Sequence, residues 1–339
     1  MNRKKYTFLL FSLNDIIQRL RNISQNGLAY FLYPGAVQNR FDHTLGVTIL
    51  TEKFINTLVK AGMKVLNKER GHNLRLAAIF HDVGHGPFSH LSEEIYSNLE
   101  PINEILKEPK FSAVVQDVKS HEIISYYIVK SDAFQEIFNK SDEIFRDQFE
   151  GTIDVNLIAE CIIGNVSNPK NKYCQDIING SFDVDKLDYI QRDCYFTGIK
   201  LGIDVERIFQ NILYRIEGDK HELALDISGC HNLEQLLFNK LLLYPSLYHH
   251  HKVRACSCMF KSIFEIMYDH DLEINGKKFD NPIDFLESRD ELFLSYKDKP
   301  ELIQEHIKNL LNRVILKRAL VIAYDFLRFI HFYCWMIEM

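Results

Sequence analysis

An apolar run, Leu74–Phe80, stops in a His-Asp pair and opens at once into glycines: Ala77-Ala78-Ile79-Phe80-His81-Asp82-Val83-Gly84-His85-Gly86-Pro87-Phe88-Ser89-His90. This stretch limits what the chain can fold into more than any other. Adjacent side chains on a regular helix diverge by about 100° and cannot grip one small ligand. At a helix end that breaks into Gly84 and Gly86 they can, because glycine lets the backbone turn and lets a ligand approach closely. Imidazole nitrogen and carboxylate oxygen together suit a divalent ion such as Zn, Fe, Mn or Mg. A lone His-Asp pair reads more simply as a solvated helix terminus with capping glycines. Two further histidines, His85 and His90, and the lack of any lysine or glutamate in the stretch weaken that simpler reading.

Elsewhere apolar residues recur at helical spacing, and only 15 glycines and 8 prolines interrupt 339 residues. The pattern predicts helices over 14–25 (capped by Asn14, closed by Asn26-Gly27), 43–65, 74–80, 91–106, 121–138, 155–164, 183–197, 233–269 and 299–331. Residues 27–35 read as an extended or looped connection, 107–119 as a charged excursion, 166–172 as a polar turn and 277–291 as a polar bridge. Arg215–Ile227, turning at Glu217-Gly218-Asp219, reads as one small hairpin. The expected fold is mainly α with that β-hairpin. Residues 1–205 form the expected catalytic core, and 206–339 a mostly helical C-terminal region that completes a pocket and makes oligomer contacts.

Formal charge is −6 and no long basic block occurs, so a nucleic-acid partner is not indicated. Seven cysteines, an odd number with no CxxC spacing, argue against structural zinc or a disulfide framework and fit the reducing cytoplasm. Thr7–Leu13 is too short for a signal segment. Residues 319–337 are apolar but interrupted by Asp325, Arg328 and His331, as in a buried amphipathic helix rather than a membrane span.

Four segments far apart hold polar residues that helical packing does not need: Arg40-Phe41-Asp42-His43, the His81–His90 stretch, His121-Glu122, and Asp183-Val184-Asp185-Lys186-Leu187-Asp188-Tyr189. One His, a His-Asp pair and a distant Asp make a two-nitrogen, two-oxygen set that leaves coordination positions open, as a catalytic metal requires. Each member alone has an ordinary reading. His43 could simply start a helix, and Asp185 could pair with a helix dipole or with Lys186.

In order along the chain, Gln18–Val47, Ala77–His90, His121-Glu122, Val184–Ile199 and, weakly, Tyr248–Arg254 carry a recognisable pattern, densest in HDVGHGPFSH and DKLDYIQRD. The sequence resembles the HD-domain phosphohydrolases, in particular their deoxynucleoside triphosphate triphosphohydrolase (dNTPase) branch, which includes the sterile-alpha-motif and HD-domain dNTPases and bacterial relatives. The resemblance covers about two-thirds of the chain, roughly residues 15–260. It implies the HD-domain helical fold, with a helical C-terminal extension. It also implies a divalent metal (Mn, Mg, Fe, Ni or Zn) held by His43, His81, Asp82 and Asp185. Attack then falls on the α-phosphate of a dNTP, releasing deoxynucleoside and triphosphate. By the same resemblance His90, backed by Glu93, is the acid, and His85 and His121 line the phosphates. Arg40 and Lys186 contact phosphate, Tyr189 and Asp193 meet the deoxyribose, and Gln25 meets the 3′-hydroxyl. The family forms dimers and tetramers, so a homo-oligomer is expected, with no membrane.

The chain also departs from the pattern. A phosphate-binding arginine is replaced by Leu241, with Lys240 beside it; His249 stands for a tyrosine near the base, and Pro245 for a histidine. The segment tied to nucleotide-triggered assembly has no counterpart in MNRKKYTFLLFSL, where Leu13 stands in place of an acidic contact, so that regulation does not carry over. The apolar end, FIHFYCWMIEM, reads as packed on a partner or as cut short. Gly84-His85-Gly86 replaces the acidic continuation of alarmone hydrolases, and no Gly-Tyr-Pro signature of the cyclic-dinucleotide branch occurs. Two other readings remain: an HD phosphodiesterase or nuclease acting on another nucleotide, and a non-catalytic nucleotide-binding scaffold. The intact His43, His81, Asp82, Asp185 and His90 weigh against the scaffold.

Overall fold

A computed structural model of the chain describes residues 15–112, 118–132, 134–136 and 152–317. The expectations for Thr7–Leu13, the Asn14 cap and the helix over 319–337 lie outside these residues. The described chain is mainly α-helical, with one antiparallel hairpin, Ile212–Glu217 paired with Lys220–Leu225 across a turn at Gly218. No helix among the described residues is long and apolar enough to cross a membrane.

Three helices carry the site. Helix α1 (Arg40–Lys60) starts where the Asn39 side chain accepts the Asp42 amide at 2.9 Å. That cap sets the start three residues before His43, so Arg40 and His43 share a face. Helix α2 (Lys68–Phe80) is capped by Asn67 and runs into His81. Helix α3 (Val184–Thr197) is capped by Asp183 and closed by left-handed Gly198. A β-carbon on Gly46 of α1 would lie 1.9 Å from Asp188 Oδ1 of α3, so only glycine lets the two helices close up.

The apolar interior forms two large clusters. One surrounds Phe54, Phe80, Ile158, Tyr173 and Leu187 and reaches on to Leu236, Leu247 and Val253. The other is a knot of rings from Phe88, Phe260, Phe264, Phe279, Phe285 and Phe293. Val83 belongs to the first cluster and Phe88 to the second, so the His81–His90 stretch is clamped between them.

Several expected helices are interrupted. The first is α-helical only over Asp15–Gln18 and then tightens to a 3-10 turn, Arg19–Asn22. There Arg19 turns inward and donates to the carbonyls of Val83 (2.5 Å) and His85 (2.7 Å). The 27–35 connection holds a 3-10 turn, Ala29–Phe31. Residues 91–106 divide into His90–Tyr96 and Glu100–Leu106, the second opening on Pro101. The next expected helix is Ser120–Lys130, ended by extended Ser131. Residues 233–269 break at a π-helical turn, Tyr244–Tyr248, where Pro245 cannot donate to the ladder. The last described helix is Glu301–Leu311. The 277–291 segment is not a polar bridge. Phe279 and Phe285 are fully buried in the ring cluster, and each such burial stabilises by roughly 1.5–3 kcal/mol.

Candidate metal and phosphate site

Where α2 ends, Ser125 Oγ donates to the His81 carbonyl at 2.8 Å and accepts the Gly84 amide at 2.8 Å. A β-carbon on Gly84 would fall 2.1 Å from the His121 carbonyl oxygen, so glycine is needed for the turn to lie against that helix. Farther on, Phe88 (φ 54°) and Ser89 (φ 58°) sit in the left-handed region without being glycine. This strained pair launches the short helix His90–Tyr96 and aims His90.

His43, His81 and Asp82 come together as a group able to hold a metal ion. Asp82 Oδ2 lies 3.5 Å from His43 Nε2 and 3.4 Å from His81 Nε2. Asp185 joins from α3, its Oδ1 3.0 Å from His43 Nε2 and 3.9 Å from His81 Nε2. The second nitrogen of each imidazole is committed elsewhere: His43 Nδ1 to Asp188 at 2.7 Å, and His81 Nδ1 to the Ala78 carbonyl at 2.8 Å. Both partners can only accept, so both Nδ1 atoms carry the hydrogen and both Nε2 atoms face the cluster. Both Nε2 atoms are buried without a hydrogen-bond partner. Burial opposes charge on His43, yet the nearby Asp185 carboxylate and the hydrogen-bonded Asp188 raise its pKa to about 10, so the surroundings favour a cation at this point. These residues fit a divalent metal.

A second group, His85, His90, Glu93 and His121, is also close enough to be considered for an ion. Its geometry suits hydrogen bonding better. One Glu93 carboxylate takes His90 Nδ1 at 2.7 Å and His121 Nδ1 at 2.8 Å. The rings of His85 and His121 stack at 3.8 Å and 19°, so their lone pairs run side by side rather than converging. Burial, with Arg40 and His121 close by, holds the fully buried His85 well below its usual pKa. Burial also opposes charge on His121, but Glu93 outweighs it and raises that pKa. The two stacked imidazoles are thus shifted in opposite directions, His85 toward the neutral form and His121 toward the charged one.

Both groups border one cavity of about 460 Å³, lined by every remaining predicted substrate residue: Gln25, Arg40, Lys186, Tyr189 and Asp193. Arg40 donates to Asp82 (2.5 Å) and Ser89 (2.7 Å), which leaves one buried amino group, NH2, without a partner. Lys186 is not paired with Asp185; its ammonium lies 2.5 Å from Asp183. Lys240 lines the cavity whereas Leu241 points to solvent. Burial, with Lys186 and Lys119 nearby, pushes the Lys240 pKa down, a repulsion that an anion would relieve. Asp193 is already engaged, receiving Asn26 (2.8 Å), Gln38 (2.9 Å) and Tyr248 (2.6 Å). His249 lines the cavity too.

The sequence reading missed Asp188, which orients His43 and is itself held by Arg192 at 2.8 and 2.9 Å. Its signal was present, since Asp185, Asp188 and Arg192 lie at helical spacings of three and four. Gln38 and Tyr248, which donate to Asp193, were not singled out although both lie in segments that carry the family pattern.

Comparison with known proteins agrees with this geometry. A family model described as HD domain matches residues 40–193, and one described as HD associated region matches residues 203–332. The chain is 28% identical over 248 residues to the Bacillus subtilis protein YwfO, described as uncharacterized, covering 73% of this chain and 48% of that one. It is 26% identical over 309 residues to the Dictyostelium discoideum deoxynucleoside triphosphate triphosphohydrolase SAMHD1 homolog, covering 88% of this chain and 54% of that one. The Gallus gallus protein of that description is 26% identical over 270 residues, 77% of this chain and 43% of its own. The chain thus spans about half the length of the curated relatives it matches. With the two matched regions close together in sequence and His43, His81 and Asp82 assembled beside the cavity that both regions line, the chain carries an HD domain followed by an HD associated region.

Proposed function

We propose that the chain is a metal-dependent phosphohydrolase that cleaves deoxynucleoside triphosphates to deoxynucleoside and triphosphate. The observation that carries this reading is the cavity lined both by Asp82 and Asp185, which sit beside His43 and His81, and by Arg40, Lys119, Lys186, Lys240 and Arg254. So many cations around one cavity suit a polyphosphate, and the unpartnered Arg40 NH2 group suits one of its oxygens. The ion held by those four ligands would supply Lewis-acid activation of water and of the phosphoryl group.

The protein side chains do the rest. His90 gives a proton to the departing 5′-oxygen, while Glu93 holds its other ring nitrogen and so fixes which nitrogen faces the substrate. His121 and His85 stand beside the phosphates. Tyr189 packs against the sugar at the 2′ carbon, where a ribose hydroxyl would have no room. The buried Gln25 Oε1 has no partner and would accept from a sugar hydroxyl. In the absence of the family arginine, Arg254 and Lys240 line the cavity, with Lys240 offering a point charge rather than a fork.

Two experiments test the proposal. Purified protein is incubated with each dNTP and rNTP plus Mn2+ or Mg2+, and products are resolved by ion exchange. Deoxynucleoside plus intact triphosphate is the expected result. Silence on single dNTPs and on mixtures would overturn the dNTPase reading and favour another phosphoester. Separately, Asp188→Asn replaces the acceptor that orients His43 and is expected to weaken metal affinity by about 10–100-fold. Titration calorimetry with Mn2+ checks it, and unchanged affinity would show that His43 does not depend on that bond.

A further inference from the structure

We propose that Asp290, which lies in the HD-associated region, is a positioning residue: its carboxylate latches the strained Phe88–Ser89 turn and thereby sets the orientation of His90. The inference rests on the assignment of His90 as the acid, made above, and goes beyond it by giving the C-terminal region a defined part in the site.

The latch is a short chain of bonds. Asp290 Oδ1 accepts the Phe88 amide at 2.7 Å, 202 residues away in sequence. Its Oδ2 accepts both the amide (2.7 Å) and the hydroxyl (2.5 Å) of Ser24. Ser89, the next residue after Phe88, donates its hydroxyl to the Ser24 carbonyl at 2.5 Å and receives Arg40 Nε at 2.7 Å. Arg40 in turn donates to Asp82. Five groups thus link the C-terminal region to a metal ligand, and the two residues in unfavourable backbone geometry sit between them.

Two features make this more than incidental packing. Ser89 occupies the cap position of the helix that begins at His90, yet its hydroxyl makes no capping bond, because it is spent on Ser24. The helix start is therefore held by the latch rather than by its own cap. Three donors also converge on two acceptor oxygens at Asp290. An asparagine there would set its amide hydrogens against Ser24 or Phe88, so the site calls for a carboxylate. Burial raises the Asp290 pKa to about 6 against the hydrogen bonds that lower it, so the group is ionised and accepts fully at neutral pH.

The test compares the full wild-type chain with Asp290→Asn and with Ser24→Ala, which removes one donor and keeps the carboxylate. Hydrogen exchange is read at the Phe88 amide, and carbethoxylation by diethyl pyrocarbonate is read at His90 by mass spectrometry. Neither readout needs a substrate. Asp290→Asn is expected to speed Phe88 exchange by about tenfold or more, with helix α1 unchanged. His90, freed from its fixed setting against Glu93, is expected to react about threefold faster or more, while His231 keeps its rate. Ser24→Ala should shift both in the same direction by less, and it supplies the comparison should Asp290→Asn not fold. Unchanged Phe88 exchange in the folded variants overturns the latch. Faster exchange with unchanged His90 reactivity overturns the positioning role, leaving Asp290 a brace of the turn. A wild-type chain inactive on every dNTP removes the dNTPase reading and leaves both of these outcomes legible.

Discussion

Replacing Asp82 by alanine is expected to abolish metal binding and turnover together. Asp82 is the one carboxylate that touches everything: Oδ2 faces His43, His81 and Arg40, and Oδ1 faces His85 at 3.4 Å and His121 at 3.8 Å. Burial would raise its pKa, but Arg40 first and then His81 and His85 hold it well below the usual carboxylate range, so it is charged at any working pH. Its loss removes an oxygen ligand and leaves the buried Arg40 guanidinium without its carboxylate partner, with only the Ser89 hydroxyl remaining. An orphaned buried charge of this kind costs about 3–5 kcal/mol, so the melting temperature should fall as well. Metal content by plasma mass spectrometry, product formation and a thermal melt are read on the same preparation. A variant that keeps one bound metal per chain at wild-type affinity would show that the ion does not sit at Asp82.

His90→Ala is expected to separate what Asp82→Ala joins. The His90 side chain is 57% exposed, borders the cavity and lies outside the metal cluster. Its removal should leave metal content unchanged and slow turnover by about 10²–10⁴-fold, the usual worth of a positioned general acid. Stability should change little, because no buried group other than Glu93 loses a partner, and Glu93 keeps His121. The decisive comparison is between nucleotide substrates and an analogue whose leaving group needs no proton, such as a nitrophenolate ester. The variant should lose far less rate on the latter. Full turnover on the nucleotide would mean that His90 is not the acid.

His43, His81, Asp82 and Asp185 stood out in the sequence because the His-Asp pair ends an apolar run and the family motif singles out the other two, and the structure brings the four side chains together. Asp188 was harder to see, since a carboxylate four residues before Arg192 also satisfies an ordinary surface pairing. Helix limits were misjudged where a capping side chain rather than an apolar residue decides them, as at Asn39, which starts its helix three residues before His43, and at Asn67, which starts its helix well before Leu74. The segment 277–291 misled for a different reason. Its two phenylalanines are spaced by six among charged neighbours and show no periodicity, and what buries them is the helix His251–Asp269, which local pattern cannot supply. Asp290 was illegible on the same ground, because its partners Ser24 and Phe88 lie more than 200 residues earlier.

That separation also orders events in time. A chain emerging from the ribosome has exposed His43, His81, Asp82, Asp185 and Asp188 once residue 188 is out, whereas Asp290 follows about a hundred residues later. The apolar cluster around the earlier residues also draws on Leu236, Leu247 and Val253, so their surroundings close only as the C-terminal region arrives. Contacts of such sequence separation are slow to form, so the turn at Phe88 and Ser89 is expected to close late in folding. The order of synthesis therefore puts the residues proposed to hold the ion ahead of the residue proposed to set the acid.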